Sequence, residues 1–464
     1  MQYYKPAGEF YVGDCMPFFH EDTFHLYYLL DEKHHQSKGG LGAHQWAHAC
    51  TRDLVHWEHH PLALPITADW EGSICTGSVF HHNGTFYAYY ATRMPDRTQH
   101  LCVATSTDGI HFDKSLTNPF ASPGAGYAPR HYRDPCLFRD ERTGLFHMLV
   151  TASLEDYPLH GHGGCLAHLV SRDLESWQVT DPFLIPGYTG TPECPDYFAW
   201  NDWTYLLFSI GGIAHYRMSR SPLGPWIRPP VDVFDGPMAC VLKTAAFGPD
   251  RRIGVAYLPS LRDDADDGDW LYAGNALFRE IVQHDDGCLG CAFPPEMIPS
   301  GGAPLDLPFT ALTGSVSCDA GCVHIHAPQG LGVGMVSGVP QNARITCRLA
   351  PGNESGAFGL CVRASGAYES GYQLRISPYE CRVELGTLHQ RSTPGTVRRA
   401  LSGVKGLGNP ITLDVVLVND IVDVCIDGRH CLASRYPELR GDRLFFFCHD
   451  GDVVFDSVEI RPLV

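Results

Sequence analysis

The segment "DPCLFRDERTGLFHMLVTAS", residues 134–153, carries the clearest structural pattern in the chain. A short apolar run ends at Phe138, a polar turn covers residues 139–144, and a second apolar run continues from Phe146. Two such runs joined by a polar turn that contains glycine are typical of a β-hairpin. The stretch therefore predicts two antiparallel strands, and an acidic residue stands at the start of the first.

The same hairpin occurs five times along the first 300 residues or so. The other copies are "PFFHEDTFHLYYLLD" from Pro17, "GSVFHHNGTFYAYYAT" from Gly77, "CPDYFAWNDWTYLLFSIGG" from Cys194 and "LKTAAFGPDRRIGVAYLPS" from Leu242. Their second strands begin at Phe24, Phe86, Phe146, Tyr205 and Ile253, which are 62, 60, 59 and 48 residues apart. Five all-β units of this length predict a five-bladed β-propeller, whose blades are four-stranded sheets arranged radially.

A second repeat follows four of these hairpins. The segments "TRDLVHW", "STDGIHF", "SRDLESW" and "SRSPLGPW" end at Trp57, Phe112, Trp177 and Trp226. Each reads as a turn that leads into a large aromatic residue. We expect these four aromatic side chains to fill the space between neighbouring blades.

The composition changes in the Pro/Gly-rich stretch "FPPEMIPSGGAPLDLPF", residues 293–309. Beyond it, short segments such as "YQLRISP" and "ITLDVVLV" alternate apolar and polar residues, which is typical of an antiparallel β-sandwich. The sequence thus predicts an all-β chain, with a five-bladed β-propeller catalytic domain over residues 1–298 and a β-sandwich domain over residues 299–464.

Charge and composition limit the partners. The 34 basic and 52 acidic residues give a net charge of −18, which would repel nucleic acid and anionic membranes. The start "MQYYKPAGEF" has neither the basic nor the apolar part of a signal peptide, so we expect a cytoplasmic protein. The 25 histidines are interpreted as solvated loop residues, so neither a metal nor another cofactor is predicted. A small carbohydrate is the expected partner, and a homo-oligomer is left open.

Three acidic residues stand near the start of a first strand. Asp14, Asp134 and Glu193 precede Phe19, Phe138 and Phe198, respectively, by four or five residues. Because the first strand of each blade lines the central channel, we expect the three carboxylates at one equivalent position on three blades. Converging carboxylates repel one another and spread their pKa values, which suits cleavage of a glycosidic bond by a nucleophile and an acid/base.

Four motifs in order along the chain carry a family resemblance. They are "HQWAHACTRDLVHWEHHPLAL" (44–64), "WEGSICTGS" (70–78), "YRDPCLF" (132–138) and "TPECPDYF" (191–198). Together they resemble the glycoside hydrolase family 32 fructosidases, the invertase, inulinase and levanase group. The segment "VDVCIDGRHCLASRYP" (422–437) is similar to the end of that family's sandwich domain. The resemblance implies the same architecture, a propeller followed by a sandwich.

The resemblance also implies roles for individual residues. Asp14 would be the nucleophile that forms a covalent fructosyl-enzyme, Glu193 the general acid and then base, and Asp134 the stabiliser of the transition state. The residues expected to bind the sugar are Arg133, Trp46, Trp70, Glu71 and Cys194. For the two tryptophans the alternative is a place in the blade core, and for Cys194 it is a buried thiol.

The chain departs from the family pattern around the nucleophile. The family's Asn-Asp-Pro-Asn-Gly is replaced by "YVGDCMPFF" (11–19), so Gly13 stands in place of Asn, and Glu71 replaces a small Ser. The loop "DEKHHQSKGG" (31–40) could bind a charged or phosphorylated sugar, or could simply be a solvated loop.

We therefore predict a retaining exo-glycosidase that hydrolyses β-fructofuranosides such as sucrose-like substrates or small fructo-oligosaccharides. A glycosidase or transglycosylase for another furanoside, such as arabinofuranose, is the first alternative. A non-catalytic carbohydrate-binding propeller is the second.

Overall fold

The computed structural model describes residues 1–319, 321–352, 355–388 and 399–463. Regular structure in these residues is almost entirely β-strand. The helical segments are single turns at Ser37–Gly40, Arg262–Asp264 and Pro295–Met297. Within the described ranges, no helix has the length and apolar character needed to cross a membrane.

Nineteen strands form five radial blades, β1–β4, β5–β8, β9–β12, β13–β15 and β16–β19. The strands are β1 (Phe10–His20), β2 (Thr23–Glu32), β3 (Gln45–Thr51), β4 (Glu58–Leu64), β5 (Ser73–His82), β6 (Thr85–Arg93), β7 (Gln99–Ser106), β8 (Asp113–Lys114), β9 (Tyr127–Asp140), β10 (Leu145–Leu154), β11 (Gly164–Ser171), β12 (Gln178–Leu184), β13 (Glu193–Trp200), β14 (Trp203–Ile210), β15 (Ile213–Ser219), β16 (Cys240–Phe247), β17 (Arg251–Leu261), β18 (Trp270–Gln283) and β19 (Leu289–Ala292). In the fourth blade, a bridge between Met218 and Ile227 replaces the outermost strand.

The four repeated aromatic residues lie between blades, as the sequence predicts. Phe112 contacts Tyr27 with ring centroids 5.9 Å apart, Trp177 contacts Tyr89 at 5.9 Å, Trp226 contacts Phe183 at 5.7 Å, and Trp57 contacts Phe278 at 5.5 Å. In each case the aromatic residue reaches the preceding blade, and Trp57 of the first blade reaches the fifth. The aromatic contacts therefore help to close the ring of blades.

The turns before these aromatic residues share one hydrogen-bond pattern in the first three blades. The carboxylate oxygen Oδ1 of Asp53, Asp108 or Asp173 accepts two backbone N–H groups of the same turn. Such Asx turns fix the direction in which the chain enters the next strand. The recurring "RDL" and "TDG" segments of the sequence are the cause of this repeat.

In the described part of the second domain there are twelve strands, and two of them belong to both of its sheets. The strands are β20 (Phe309–Thr313), β21 (Ser315–Asp319), β22 (Cys322–Ser337), β23 (Ala343–Pro351), β24 (Ala357–Ser365), β25 (Ser370–Ser377), β26 (Arg382–Thr387), β27 (Ala400–Ser402), β28 (Ile411–Val418), β29 (Ile421–Ile426), β30 (His430–Arg435) and β31 (Arg443–Pro462). The first half of β31 pairs with β24 and its second half with β23, while β22 runs beside both halves. The apolar core of this sandwich lies between the two sheets.

A buried ion cluster joins the two domains. The Arg279 guanidinium on β18 is fully buried and donates to Asp235 at 2.7 Å and to Asp423 on β29 at 2.8 and 2.9 Å. The Tyr3 hydroxyl also donates to Asp423, at 2.9 Å. Because a buried charge without its partner is costly, this cluster favours one fixed arrangement of propeller and sandwich.

The predicted fold class, an all-β five-bladed propeller followed by an antiparallel sandwich, is confirmed. The last propeller strand ends at Ala292 and the first sandwich strand begins at Phe309. The domain bounds 1–298 and 299–464 stay a prediction.

Candidate active site

The inner strand of every blade carries a β-bulge at the same place. In each inner strand, two consecutive residues are not paired with the second strand, and the pairing resumes after them. The skipped pairs are residues 13–14, 75–76, 134–135, 194–195 and 241–242. A bulge bends its strand and redirects side chains, so these five positions form the end of the channel at which side chains can converge.

The three carboxylates lie at this level but at three successive places, so the expectation of one equivalent position is wrong. Glu193 directly precedes its bulge, Asp134 is the first bulge residue of its blade, and Asp14 is the second of its own. The phenylalanines that suggested equivalence are not equivalent themselves. Phe19 lies one residue before the last paired residue of its strand, His20, whereas Phe198 lies two residues before the last paired residue of its own strand, Trp200.

The bulges of blades three to five hold a residue in the left-handed region. Asp134, Cys194 and Val241 have φ values of 54°, 51° and 54°, which non-glycine residues rarely adopt. In this conformation the backbone N–H of Cys194 donates to Oδ2 of Asp134 at 3.1 Å. One blade's bulge thus fixes the carboxylate of its neighbour.

Asp14 is buried, with one carboxylate oxygen held and the other without a donor. Its Oδ2 accepts the hydroxyl of Thr76 at 2.5 Å and the thiol of Cys194 at 3.6 Å. Among the described residues no group donates to its Oδ1. Burial raises the pKa of Asp14, the Thr76 hydroxyl lowers it, and the Asp134 carboxylate raises it again. An oriented carboxylate with one free oxygen is the arrangement that a nucleophile requires.

Glu193 is paired with Arg133. Oε1 of Glu193 accepts from Nη2 of Arg133 at 2.7 Å, while Nε of the same guanidinium lies 3.5 Å from Oδ2 of Asp134. Burial raises the pKa of Glu193, Arg133 lowers it, and Asp134 raises it. Burial and the carboxylates of Asp134 and Asp14 hold the pKa of the Cys194 thiol well above its usual range, so this thiol stays a hydrogen-bond donor.

A cavity of about 430 Å³ brings five of the predicted residues together. They are the three carboxylates Asp14, Asp134 and Glu193, together with Arg133 and Cys194. Opposite charges and two carboxyl groups of raised pKa meet in this one cleft. A cleft with such groups is where acid/base chemistry is expected.

Trp46 and Trp70 do not line this cavity. Trp46 is fully buried, and its indole N–H donates to the backbone oxygen of Cys75 at 2.9 Å. Trp70 is partly buried against the same apolar cluster. In the structure both side chains therefore occupy the blade-core position that the sequence left as their alternative.

Glu71 is also buried away from the cavity, in an ion pair. Its carboxylate accepts Nζ of Lys114 at 2.6 Å and the backbone N–H groups of Thr67 and Ala68 at 2.7 and 3.1 Å. These contacts fix the loop between β4 and β5 to the outer strand of blade two. In this position the Glu71 carboxylate has a structural role, because it holds the loop in place.

Sequence reasoning missed Thr76 and Tyr272, which both contact Asp14. Thr76 stands inside the quoted motif at residues 70–78, so the motif could have singled it out as a candidate site residue. Tyr272 comes from β18 and gives no local signal. Its hydroxyl explains Gly13, because a Cβ on residue 13 would lie 2.8 Å from that oxygen.

The comparisons with known proteins concern the part of the chain that carries this site. The model of the glycosyl hydrolases family 32 N-terminal domain matches residues 14–222, a range that contains all three carboxylates. Sucrose-6-phosphate hydrolase of Escherichia coli is 30% identical over 204 residues, which are 41% of this chain and 39% of that protein. Levanase of Bacillus sp. (strain L7) is 32% identical over 228 residues, which are 42% of this chain and 23% of that protein. The chain thus matches well under half the length of these curated relatives.

Solved structures match over nearly the whole chain. Fructan 1-exohydrolase IIa from Cichorium intybus has a TM-score of 0.74 at 18% identity and covers 99% of this chain and 96% of its own. Exo-inulinase from Aspergillus awamori has a TM-score of 0.73 at 15% identity and covers 100% and 98%. At these identities the likeness shows the shared fold. The family match covers residues 14–222, so the family likeness applies to this N-terminal part of the chain, which is similar to the glycosyl hydrolases family 32 N-terminal domain.

Proposed function

We propose that the protein is a retaining exo-glycosidase that hydrolyses β-fructofuranosides through a covalent fructosyl-enzyme. The observation that carries the proposal is the convergence of Asp14, Asp134 and Glu193 from three blades into one cavity. The matched relatives bear the names of sucrose-6-phosphate and levan hydrolases, which supports a fructose-containing substrate.

In the first step, Oδ1 of Asp14 attacks the anomeric carbon, because no residue that the structure describes donates to this oxygen. The protonated Glu193 gives its proton to the departing glycosidic oxygen. Burial raises the pKa of Glu193 and so favours the protonated form that this step needs. A covalent ester between Asp14 and the sugar results.

In the second step, Glu193 takes a proton from water, and the resulting hydroxide releases the sugar from Asp14. Asp134 is held by the backbone of Cys194 and by Arg133, and it accepts hydrogen bonds from sugar hydroxyls. Its negative charge also stabilises the positive charge that develops on the sugar ring in the transition state.

A second candidate substrate is another furanoside, such as an arabinofuranoside. The observation in its favour is the exchange at the nucleophile, where Gly13 and the Tyr272 hydroxyl occupy the space of a side chain in the family pattern. A changed wall beside the nucleophile changes which sugar hydroxyls can be bound. The reaction would be the same for both sugars.

One panel separates these possibilities. Purified protein is incubated with sucrose, inulobiose, levan oligomers and aryl arabinofuranosides, and the released sugar is measured beside Asp14→Asn and Glu193→Gln. We expect turnover of a fructofuranoside by the wild type and loss of at least about 1,000-fold in Asp14→Asn. Turnover of arabinofuranosides alone would favour the second candidate. Binding of sugar without any turnover would favour the non-catalytic propeller.

A cytoplasmic location, function without a cofactor and a homo-oligomeric state stay predictions. A crystal structure would test the mechanism independently. The retaining mechanism requires the Asp14 and Glu193 carboxyls to lie about 5–5.5 Å apart, whereas an inverting mechanism requires about 6.5–9.5 Å.

A further inference from the structure

Three side chains from the connection between β2 and β3 converge beside the candidate active site. Asp31 ends the buried part of β2, His35 lies in the loop that follows, and His44 directly precedes β3. Nε2 of His44 lies 2.9 Å from Oδ1 of Asp31 and 3.2 Å from Nδ1 of His35. Both imidazoles line the cavity that contains Asp14.

Hydrogen bonds alone cannot satisfy this cluster. Nη1 of Arg93 lies 2.9 Å from Nε2 of His35, so a neutral His35 that accepts this bond carries its proton on Nδ1. If that proton is donated to Nε2 of His44, then this nitrogen has no proton for Asp31. If Nε2 of His44 instead carries a proton that it donates to Asp31, the N–H groups at Nδ1 of His35 and Nε2 of His44 face each other. One close contact is therefore always unfavourable.

Asp31 gives a second and independent indication. Its side chain is fully buried, and its Oδ2 has no donor among the described residues. A buried carboxylate with an unpartnered oxygen is costly, and a bound cation would remove this cost. Asp31 already accepts the backbone N–H of His35 at 2.8 Å through Oδ1, which fixes its orientation toward the two imidazoles.

The spacing of the three ligand atoms suits a small divalent ion. Nitrogen and oxygen ligands at about 2.0–2.1 Å around a tetrahedral centre lie about 3.4 Å from one another. The two contacts to His44 are 2.9 and 3.2 Å, so movements of about half an ångström would open the site. The three ligand atoms all lie within 4.8 Å of one another.

The surroundings hold both imidazoles in place. The ring of Tyr272 stacks on His44 with centroids 5.1 Å apart and meets His35 edge-on at 5.7 Å. Gly42, at a φ of 100°, leaves room for them, since a Cβ there would lie 2.8 Å from His44 and 2.9 Å from His35. The loop is thus shaped around two converging rings.

We propose that Asp31, His35 and His44 bind a divalent transition-metal ion of the Zn²⁺ class. When the ion binds Nδ1 of His35, the proton of that ring moves to Nε2, and the Arg93 guanidinium turns away from it. Arg93 keeps its other bond, from Nη1 to the backbone oxygen of Leu41 at 2.7 Å. Imidazole and carboxylate ligands together suit Zn²⁺ and its neighbours better than Ca²⁺ or Mg²⁺.

Three protein ligands leave one coordination position open, which is the pattern of a metal site that takes water or substrate oxygen. Because His35 and His44 line the cavity, that position faces the proposed sugar site. The ion would then bind a sugar hydroxyl in place of side chains that the family pattern supplies around the nucleophile. This last step rests on the proposed function, whereas the metal site itself does not.

A second group of ligand-type residues serves as the matched control. Cys50, Glu58 and His60 lie across β3 and β4, and Sγ of Cys50 lies 3.2 Å from Nε2 of His60. This group is separate from the cavity. Any Zn²⁺ bound there would be lost in Cys50→Ser and kept in Asp31→Asn.

The test is a calorimetric titration of chelator-treated protein with Zn²⁺, repeated with Co²⁺ to record the visible absorption of a tetrahedral site. We expect one ion per chain in the wild type and in Cys50→Ser, and binding weaker by at least about 100-fold in Asp31→Asn and His44→Gln. Circular dichroism checks that Asp31→Asn and His44→Gln fold. If they do not fold, the same titration of His35→Asn, at a more exposed position, tests the site instead. Unchanged binding in all three variants, or loss only in Cys50→Ser, would overturn the proposal.

The sugar contact has a separate readout. Fructose binding to Glu193→Gln is measured with and without Zn²⁺, and we expect binding at least about tenfold tighter with the ion. If Zn²⁺ binds at Asp31 but fructose affinity does not change, the sugar contact is wrong and the metal site stands. If fructosides are not substrates at all, the proposed function fails, and the Zn²⁺ titration still decides the metal site.

Discussion

Replacing Arg133 by Met should move the alkaline side of the pH–activity profile to higher pH. Arg133 donates to Glu193 at 2.7 Å from a largely buried position and lowers the pKa of that carboxyl against the effect of burial. Without the guanidinium, burial and the Asp134 carboxylate remain, and both raise the pKa of Glu193. Since Glu193 must be protonated to act as the acid, activity should persist to higher pH.

The expected size follows from the charge pair. An opposite charge within about 4–6 Å lowers a carboxyl pKa by about 1–3 units, and Glu193 is about one-third exposed, which weakens the effect. We therefore expect the alkaline midpoint of kcat/KM to rise by about 1–2 pH units, equivalent to about 1.4–2.7 kcal/mol. The maximum rate should fall as well, because Arg133 also contacts Asp134.

The assay is kcat/KM against pH with an aryl β-fructofuranoside whose leaving group does not titrate in the range. Arg133→Lys should keep the midpoint near that of the wild type, because the charge remains. Arg139→Met is the matched control on the same strand, since Arg139 pairs with the exposed Glu141 at 3.3 Å. A midpoint that stays in place or falls in Arg133→Met would refute the assignment of Glu193 as the acid.

Three further predictions concern the nucleophile and the buried pair at Glu71. In Thr76→Val, the pKa of Asp14 should rise because the hydroxyl that lowers it is gone, so the acidic midpoint of kcat/KM should move up by about half to one unit. Burial raises the pKa of Asp14 in the folded state, so the ionised carboxylate lowers stability once the pH is above the pKa of the unfolded chain. Asp14→Asn removes this ionisation and should therefore increase the free energy of unfolding by about 1 kcal/mol at pH 7.5. Urea unfolding should show that this gain disappears below about pH 4, and a gain that persists there would count against ionisation as its cause. Lys114→Met should destabilise the fold by about 3 kcal/mol by leaving the Glu71 carboxylate without its cation, while KM stays unchanged; a raised KM would instead indicate a sugar contact.

The repeat of hairpins was sufficient to predict the propeller, because each blade repeats the same local physics. Alternating apolar residues, a polar turn and an inter-blade aromatic occur with regular spacing, and no long-range information is needed to count them. The Asx turns at Asp53, Asp108 and Asp173 show that even the hydrogen bonds repeat.

The alignment of the three acids could be predicted only to within two residues along the inner strand. The reason is that the inner strands continue for six paired residues after the bulge in the first blade and for five in the third and fourth. Counting from a phenylalanine cannot detect such a difference, whereas the bulge, which sets where side chains point, has no simple sequence signal.

The side chains that surround the site from other blades could not be predicted from the sequence. Tyr272 meets Asp14 from a strand 258 residues away, and Arg93 meets His35 from 58 residues away. Trp46 lies within a family motif, but its burial depends on packing against Tyr27 of the first blade and Tyr90 of the second. Side chains of this kind acquire their surroundings only when the ring of blades closes.

The proposed mechanism requires Asp14 to form a covalent bond to the sugar while Glu193 supplies and removes the proton. The most direct measurement is mass spectrometry of Glu193→Gln after incubation with an activated aryl β-fructofuranoside, followed by peptide mapping. We predict an added mass of one hexosyl unit on the peptide that contains Asp14, and its absence in the double variant with Asp14→Asn. An adduct on another residue, or release of a sugar of inverted configuration without any adduct, would rule out Asp14 as the nucleophile.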